Sequence, residues 1–304
     1  MNVPPMDRRE PLPKVTLAIA AKGLVDAKPF LAAVEDGRYG SSADVEIILA
    51  HDGVDRIADA PARISQLMLP PTVSIFHLWA AAIGQARAEY VAIMDVYSLP
   101  SLEWHQAILD ALGDNGSGYY GPVEACYGPG DARVIGYLAE YVQFHRPISE
   151  ALGEIPGNNL IVRRSLISQD QDFVRRGFFK SALMAEWGEN GTPLPRLVPV
   201  AAVYHAKPFD WRHYIVRRFR HGRCYAARRL EKKPRPPRLW FILTSPLLPF
   251  VRVLRIWRHV ERVPKFRSAL LRYFMPILIA ETAWSLGELV GYVAGEGRSG
   301  QLLD

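Results

Sequence analysis

Two aspartates that follow short apolar segments are the first candidates for chemistry in this sequence. Asp52 comes just after Val45 to Ala50, and Asp95 directly follows Tyr90 to Met94. Short apolar runs bounded by turn residues are typical of buried strands. Ligands of open α/β sheets bind beyond the carboxyl ends of the strands, so this placement predicts a ligand site. For either acid alone, an aspartate that only stabilises a turn is the commoner interpretation.

Alternating strands and helices would position these acids. Val15 to Ala20 is another apolar run, and Ala27 to Val34 has the spacing of a short helix. Ser74 to Ala86 and Ser101 to Leu112 are predicted as the next helices, the latter with its serine as N-cap. Strand, helix, strand units of this kind predict an α/β fold with a mostly parallel central sheet flanked by helices.

The composition is that of a packed globular protein. The chain has 304 residues, of which 49% are hydrophobic and 22% charged, and this excludes wholesale disorder. Two cysteines, Cys126 and Cys224, provide neither a disulfide scaffold nor a cysteine-based zinc site, so we expect a reduced, cytosolic setting. Residues 1–12 contain no apolar core, and no secretory signal is expected.

The net charge of +6 is unevenly distributed along the chain. Residues 1–130 carry −7, residues 131–207 carry +1 and residues 208–304 carry +12. A basic segment with interleaved aromatics, Trp211 to Arg229, could bind single-stranded nucleic acid or an anionic membrane. Nucleic-acid binding does not explain the apolar segments that follow the basic segment. We therefore expect a membrane surface, and no nucleic acid, as the partner.

These later apolar segments predict a region that associates with the membrane. Leu239 to Val251 contains two prolines, and Tyr273 to Ala294 contains Glu281 and Glu288, so neither is a clean span of about 20 uncharged residues. We expect a basic, proline-rich linker over 231–238. Residues 239–304 would then form an amphipathic helical region on the cytoplasmic face of the plasma membrane, attracted by anionic lipid.

The ordered series of motifs resembles a known family. The segments VTLAIA, VEIILAHDG and ARAEYVAIMDVYSLPSLEW are similar to the N-terminal half of family 2 glycosyltransferases, the inverting nucleotide-sugar enzymes of the GT-A fold. Gly121 to Val123, Pro156 to Asn159, Gly177 to Phe179 and Val203 to His205 follow in the order seen in bacterial members. The resemblance implies a GT-A domain over 14–230 after a tail of 1–13. It also implies transfer of a sugar, as in hexosyltransferases, to a lipid-linked or polysaccharide acceptor in cell-envelope glycan synthesis.

The resemblance also implies a donor site. Asp52 occupies the place of the family's nucleoside-binding aspartate, although His51 stands where a first aspartate is usual. Asp95 matches the family's Asp-x-Asp motif, which holds a divalent metal on the donor diphosphate, but Tyr97 replaces the second acid. Mg²⁺ or Mn²⁺ is therefore expected, bound less firmly than by two carboxylates. His205 corresponds to a histidine that completes this metal site in the family, or it is a structural histidine at a strand end.

The acceptor side is assigned by the same resemblance. An inverting transferase needs a general base for the acceptor hydroxyl, and the family places an acid shortly after its Gly-Phe segment. Here Lys180 follows that segment, so Glu186 is the candidate base, with an ordinary solvated helical glutamate as the alternative. The turn Gly157-Asn158-Asn159 would line the acceptor side, or it is only a turn.

Cations further along the chain could stabilise the leaving group. Arg220 and Arg223 lie on the helix predicted through the basic segment and are the candidates to bind the departing nucleoside diphosphate. The alternative is a solvated or lipid-facing basic helix. A rival function is a degenerate homologue that binds a nucleotide sugar or a partner protein without turnover. Tyr97 and Lys180, which stand where acids are usual, favour that rival.

Overall fold

The computed structural model describes residues 12–23, 27–41, 43–53, 56–57, 59–114, 116–148, 154–167, 171–232 and 238–303. Most of the predicted tail (1–13) and linker (231–238) therefore lies outside the described residues. The strands are β1 (Val15–Ala21), β2 (Val45–His51), β3 (Ile64–Met68), β4 (Tyr90–Asp95), β5 (Ser98–Pro100), β6 (Gly118–Tyr120), β7 (Val123–Ala125), β8 (Leu160–Arg163), β9 (Arg196–Leu197) and β10 (Val203–His205). The helices are α1 (Lys28–Glu35), α2 (Ile75–Gln85), α3 (Trp104–Ala111), α4 (Val134–Glu140), α5 (Gln171–Arg176), α6 (Lys180–Asn190), α7 (Trp211–Lys232), α8 (Arg238–Thr244), α9 (Leu248–Arg262), α10 (Arg267–Arg272) and α11 (Phe274–Ala294).

A seven-stranded sheet in the order β3-β2-β1-β4-β8-β6-β9 forms the centre of the fold. Strands β3, β2, β1 and β4 are parallel, as are β6 and β9, whereas β8 runs antiparallel to both of its neighbours. A second sheet has the order β5-β10-β7. The predicted α/β fold with a mostly parallel sheet is confirmed.

Helices cover both faces of the large sheet. Alternate residues of β1 point to opposite faces. Leu17 and Ile19 pack with α1 and α3 in one core, and Ala18 and Ala20 pack with α2 and α6 in another. This two-sided burial explains why every residue of β1 is buried and why the strand is a continuous apolar run.

Every strand and helix predicted between Val15 and Leu112 is present, but the sequence missed two strands in this range, β3 and β5, and misplaced the start of one helix. Strand β3 was not anticipated, because Ile64–Met68 lies at the sheet edge and carries serine and glutamine. Helix α3 begins at Trp104 with Glu103 at the N-cap position, so the predicted N-cap Ser101 is wrong. Ser101 precedes the helix in a turn, in which its carbonyl accepts from the Trp104 amide.

The C-terminal helices share a core with the preceding residues. Val253 and Ile256 of α9 pack in one cluster with Val134 and Tyr137 of α4, together with parts of α10 and α11. Two helical stretches, Arg238–Arg262 and Phe274–Ala294, are long and apolar enough to cross a membrane by length and composition alone. Buried core helices meet the same criteria, and half of the most apolar window of Phe274–Ala294 is buried inside the protein.

Glycines bring α7 and α11 into close contact. A Cβ added at Gly222 of α7 would lie 2.2 Å from the carbonyl oxygen of Trp284. On α11, a Cβ at Gly287 would lie 2.1 Å from the carbonyl oxygen of Phe219, and one at Gly291 would lie 2.4 Å from that of Arg223. Because backbone atoms cannot withdraw as a flexible side chain can, the two helices must separate if any of these glycines gains a side chain.

The variant Gly287→Ala is expected to lower the free energy of unfolding by about 1 to 3 kcal/mol, the usual cost of overpacking. Chemical denaturation followed by circular dichroism measures this change. The matched control is Gly188→Ala on α6, where an added Cβ meets nothing within 4 Å. This control is expected to be neutral or slightly stabilising, because alanine is the better helix former. Equal stability of the two variants would contradict the close contact of α7 with α11.

Candidate functional site

The candidate site lies at the carboxyl edge of the large sheet, where the strand order reverses. Chain order leads from β1 to β2 on one side, while β4 lies on the other side of β1. Lys22 directly follows β1, Asp52 follows β2 and Asp95 ends β4. Two strand spacings of about 4.8 Å separate β2 from β4, so the two acids follow strands about 10 Å apart. The crevice at such a reversal is where open α/β sheets bind ligands.

Asp52 forms an ion pair with a lysine that the sequence analysis had not singled out. The Nζ of Lys22 donates to Oδ2 of Asp52 at 2.6 Å, and the amide of Gly23 donates to Oδ1 at 2.7 Å. Lys22 Nζ also donates to the carbonyl of Pro71 at 2.7 Å. The same rule that identified Asp52, a polar residue directly after a buried strand, would have found Lys22. The pair places a carboxylate and an ammonium side by side at the carboxyl edge of the sheet, with only 5% and 11% of their side-chain surfaces exposed.

Asp95 is held in place by three donors. Its Oδ1 accepts from the amide of Tyr97 at 3.1 Å and from Oγ of Ser98 at 2.8 Å. Its Oδ2 accepts from Nδ2 of Asn158 at 3.0 Å. The first of these contacts is the Asx-type turn that a local structural role predicts, whereas the third joins Asp95 to a distant segment. Asp95 therefore has both the local role and a place in a larger polar cluster.

The two asparagines of the turn Gly157-Asn158-Asn159 have different hydrogen-bond partners. Asn158 donates to Asp95 and, at 3.2 Å, to the hydroxyl of Tyr141, which follows α4. Asn159 has a left-handed backbone with φ of 62°. The Nδ2 of its side chain donates to the backbone carbonyls of Pro122 and Ala201. Asn159 thus fixes the backbone around the turn, while Asn158 belongs to the site. Their assignment to the acceptor side stays a prediction.

His205 ends β10 and belongs to the same cluster. Its ring centre lies 4.7 Å from that of Tyr141, and its Nδ1 is hydrogen-bonded with the hydroxyl of Tyr127 at 3.0 Å. Burial lowers the pKa of His205 to about 4, although the nearby charges of Asp95 and Glu140 raise it. The imidazole is therefore neutral near pH 7, which is the form that binds a metal.

A strongly charged group lies next to this cluster. Glu140, the last residue of α4, accepts from Arg217 at 2.7 Å and lies 3.7 Å from Arg218. Burial raises the pKa of Glu140, but the two guanidinium groups outweigh it and hold the value at about 2. No pattern in the sequence pointed to Glu140 or to Tyr141, because their partners are more than 15 positions away in the chain.

The predicted leaving-group cations bind the C-terminal segment. Arg220 donates to the carbonyl of Leu302 at 3.1 Å, and Arg223 donates to that of Gly295 at 2.8 Å. The amide of Ile75, at the start of α2, donates to the carbonyl of Leu303, so this segment also contacts α2. Both arginines thus hold the C-terminal segment against α7, and their role toward a diphosphate stays a prediction.

The predicted base lies on α6. Glu186 is half-buried on the same helix as Leu183 and Trp187, which pack into the core on the α2 side of the sheet. Lys180, the first residue of α6, donates to the carbonyl of Ile155 at 2.6 Å, and burial lowers its pKa to about 8. Lys180 therefore supports the segment that leads into the turn at Asn158. Glu186 as general base stays a prediction.

The side chains at this site can supply only part of the coordination of a divalent metal, so phosphate and water oxygens would have to complete it. Within the described ranges, no group of three or more His, Cys, Asp or Glu side chains could hold a metal ion. The Oδ1 of Asn158 is buried without a hydrogen-bond partner, on the side chain whose Nδ2 donates to Asp95, so two neighbouring side chains carry hard oxygen donors. Mg²⁺ commonly uses one or two carboxylates and takes its other ligands from phosphates and water. These residues fit such an ion, and His205 could add a nitrogen ligand.

Comparison with known proteins finds a similar solved structure but no family. No family model matches the chain, and no curated protein matches it. One similar solved structure is the mannosyltransferase PcManGT from Pyrobaculum calidifontis in complex with GDP-Man and Mn²⁺. The match has 17% sequence identity and a TM-score of 0.46, and it covers 96% of this chain and 85% of that chain. At this sequence identity and TM-score, the structural similarity assigns no function to the chain.

Proposed function

We propose that this protein is a glycosyltransferase that moves a sugar from a nucleotide-sugar donor to a glycan or lipid-linked acceptor with inversion at the anomeric carbon. One observation carries the proposal. At the reversal point of a mostly parallel sheet, the Lys22–Asp52 pair follows β1 and β2, and Asp95, a carboxylate positioned by Asn158, ends the neighbouring strand β4. The resemblance of the sequence motifs to family 2 glycosyltransferases of the GT-A fold, including the bacterial envelope-glycan enzymes, supports the same conclusion.

The chain's own residues have distinct tasks in this mechanism. Asp52 and Lys22 bind the nucleoside, because one accepts hydrogen bonds and the other donates them. Asp95 faces the diphosphate and, with Asn158 and His205, would hold Mg²⁺ or Mn²⁺. When bound, such an ion offsets the charge that develops on the departing nucleoside diphosphate.

Proton transfer and leaving-group charge complete the mechanism. We assign Glu186 as the base that takes the proton of the acceptor hydroxyl while that oxygen attacks the anomeric carbon. Attack opposite the leaving group inverts the configuration. Arg220 and Arg223 would stabilise the leaving group only after exchanging their present carbonyl partners for phosphate oxygens.

In this proposal the C-terminal helices associate with a membrane. Leu239, Trp240 and Leu243 of α8 are exposed, as are Phe250 and Leu254 of α9. Contiguous exposed apolar surface is rare on soluble monomers, and the +12 charge of residues 208–304 favours anionic lipid. The cytoplasmic face of the plasma membrane is the expected location.

A second candidate function is nucleotide-sugar or partner binding without turnover. Tyr97 stands where the family has a second acid, and three donors already occupy the Asp95 carboxylate. These features would leave donor binding intact and impair the reaction. Incubation with nucleotide sugars and Mn²⁺ separates the two candidates, because only the enzyme releases free nucleoside diphosphate.

Donor binding can be tested by thermal unfolding with a panel of nucleoside diphosphates and nucleotide sugars, each with MnCl₂ or EDTA. One nucleotide class is expected to stabilise the protein, by about 2.7 kcal/mol at 100 times its Kd. The variant Asp52→Asn is expected to bind this nucleotide at least about tenfold more weakly, since a hydrogen bond to a charged group contributes about 1.5 to 3 kcal/mol.

The matched control is Asp36→Asn, which changes an exposed carboxylate at the end of α1. It is expected to bind the nucleotide like the wild type. Failure of every nucleotide to stabilise the wild-type protein would contradict the proposed function. Unchanged affinity of Asp52→Asn would contradict the nucleoside role of that residue.

A further inference from the structure

An apolar groove lies between α9 and α11, away from the candidate site. It has a volume of about 190 Å³. For comparison, a dry apolar cavity of about 150 Å³ accommodates a benzene-sized molecule, so this groove has room for a short length of hydrocarbon. It is lined by Phe250, Val253, Leu254, Trp257, Phe274 and Leu278.

The rims of the groove are exposed apolar side chains. Phe250, Leu254 and Trp257 of α9 are exposed, and so is Phe274 at the start of α11. The hydrophobic effect therefore disfavours the groove in water and favours a hydrocarbon occupant. Leu247, just before α9, and Met275 of α11 are also exposed, so the groove belongs to the surface proposed to face lipid.

The charge of the surrounding helices selects an anionic lipid. Residues 248–272 contain seven Lys and Arg and one acid, Glu261. Arg252 and Arg255 are paired with Glu281 and Glu154 outside this range, which leaves a net charge of +4. A phosphate-bearing lipid complements this charge, whereas an uncharged amphiphile uses only the apolar lining.

The groove is also connected with the acceptor side of the candidate site. Arg255 of α9 is paired with Glu154 at 3.1 Å, four positions before Asn158. An adjoining face of α9, which includes Val253 and Ile256, packs in one cluster with α4, and the residue after α4 is Tyr141, which accepts a hydrogen bond from Asn158. Helix α9 therefore contacts both the groove and an element next to the candidate site.

We propose that this groove binds the hydrocarbon chain of a phosphate-bearing lipid drawn from the bilayer, and that this lipid carries the acceptor. The role of the lipid as sugar acceptor rests on the proposed function, whereas the binding of its hydrocarbon chain does not depend on sugar transfer. It selects the lipid-linked acceptor over a free polysaccharide.

The test is isothermal titration of the full-length protein with dodecyl phosphate below its micelle concentration. Inorganic phosphate and dodecyl maltoside are titrated separately as the headgroup and the chain alone. We expect one dodecyl phosphate per protein, with at least about tenfold weaker binding of either separate part. Leu278→Trp, which fills the groove, and Phe250→Ser, which makes it polar, are each expected to weaken dodecyl phosphate binding about tenfold or more.

The matched control is Leu243→Ser on α8. Leu243 and Phe250 are both 64% exposed, but only Phe250 lines the groove. Equal loss of binding in Leu243→Ser and Phe250→Ser would overturn the groove and leave only a general apolar surface. Equally tight binding of dodecyl maltoside would overturn the preference for an anionic lipid. Absence of dodecyl phosphate binding by the folded wild-type protein would overturn the proposal altogether.

Two further measurements separate this inference from the proposed function. Asp95→Asn is expected to bind dodecyl phosphate like the wild type, because it changes no residue of the groove. Binding of dodecyl phosphate without binding of any nucleotide would contradict the proposed glycosyltransferase function and support the lipid-binding groove. Binding of a nucleotide without binding of dodecyl phosphate would support the proposed function and contradict the groove. Once a donor is known, Phe250→Ser should raise the KM for a lipid acceptor and leave the KM for the donor unchanged.

Discussion

Replacement of Asp95 by asparagine is expected to lower the rate of sugar transfer by at least about 10²- to 10³-fold, the usual cost of losing one group that stabilises transition-state charge. The substitution keeps the shape of the side chain and removes its negative charge. Asp95 is the acid at the reversal of strand order, and in the proposed mechanism it is the carboxylate that would hold the divalent ion against the diphosphate.

The rate measurement is the release of nucleoside diphosphate with saturating donor and Mn²⁺. Binding of Mn²⁺ in the presence of nucleotide, followed by electron paramagnetic resonance, gives a second readout and should weaken in parallel. Asp110→Asn, which changes an exposed acid on α3, is the control and should retain the wild-type rate. Full activity of a folded Asp95→Asn variant would show that the assignment of the diphosphate and metal site is wrong.

The variant Glu281→Gln is expected to lower the free energy of unfolding by about 3 to 5 kcal/mol, the usual cost of breaking a buried ion pair from one side. Glu281 of α11 is 0% exposed and accepts from Arg218 of α7, which is 2% exposed, at 2.7 Å. Its other oxygen accepts from Arg252 of α9. Removal of the carboxylate charge leaves two guanidinium groups over the ring of Trp284 without their shared counter-ion.

Denaturant unfolding of the two proteins in the same buffer measures this loss. The control is Glu261→Gln on α9, where the side chain is exposed and accepts from Trp257 at 3.1 Å. Surface changes of this kind usually stay within about 0.5 kcal/mol. Equal stability of both variants would show that the ion pairs among α7, α9 and α11 do not hold the C-terminal helices in place. A large loss would explain how an acid is retained in the apolar helix α11.

The same network extends toward the candidate site. Arg218 lies between Glu281 of α11 and Glu140 of α4, and Glu140 is followed by Tyr141, the hydrogen-bond partner of Asn158. The C-terminal helices are therefore packed and charge-paired against an element of the site. This contact argues against their being only an appended membrane anchor, since a simple anchor needs no ion pairs with the rest of the chain.

Most of the secondary structure of the N-terminal half was predictable from local patterns. The strands at Val15 and Val45 and the helix after Ser74 are found within one or two residues of their predicted bounds. Strand β3 was missed because an edge strand with serine and glutamine lacks the continuous apolar run that marks a buried strand. The N-cap at Ser101 failed because a preceding turn moved the start of the helix to Trp104.

The basic helix shows where local reasoning was incomplete. Its helical character and its start at Trp211 were predictable, and the helix ends three residues beyond Arg229. The hydrogen-bond partners of Arg220 and Arg223 were not predictable, because they are carbonyl groups 72 to 82 positions further along the chain. No pattern within α7 identifies such a partner.

By itself the sequence determined the alternating strands and helices, the placement of Asp52 and Asp95 at strand ends, and the concentration of charge and apolar segments in the last third. These features depend on periodicity and turn residues, which act over a few positions. Only the tertiary structure decided that Asn158 binds Asp95 across 63 positions of sequence and that Lys22 pairs with Asp52 across 30. Contacts of that range depend on how the sheet orders its strands, and single side chains do not encode this order locally.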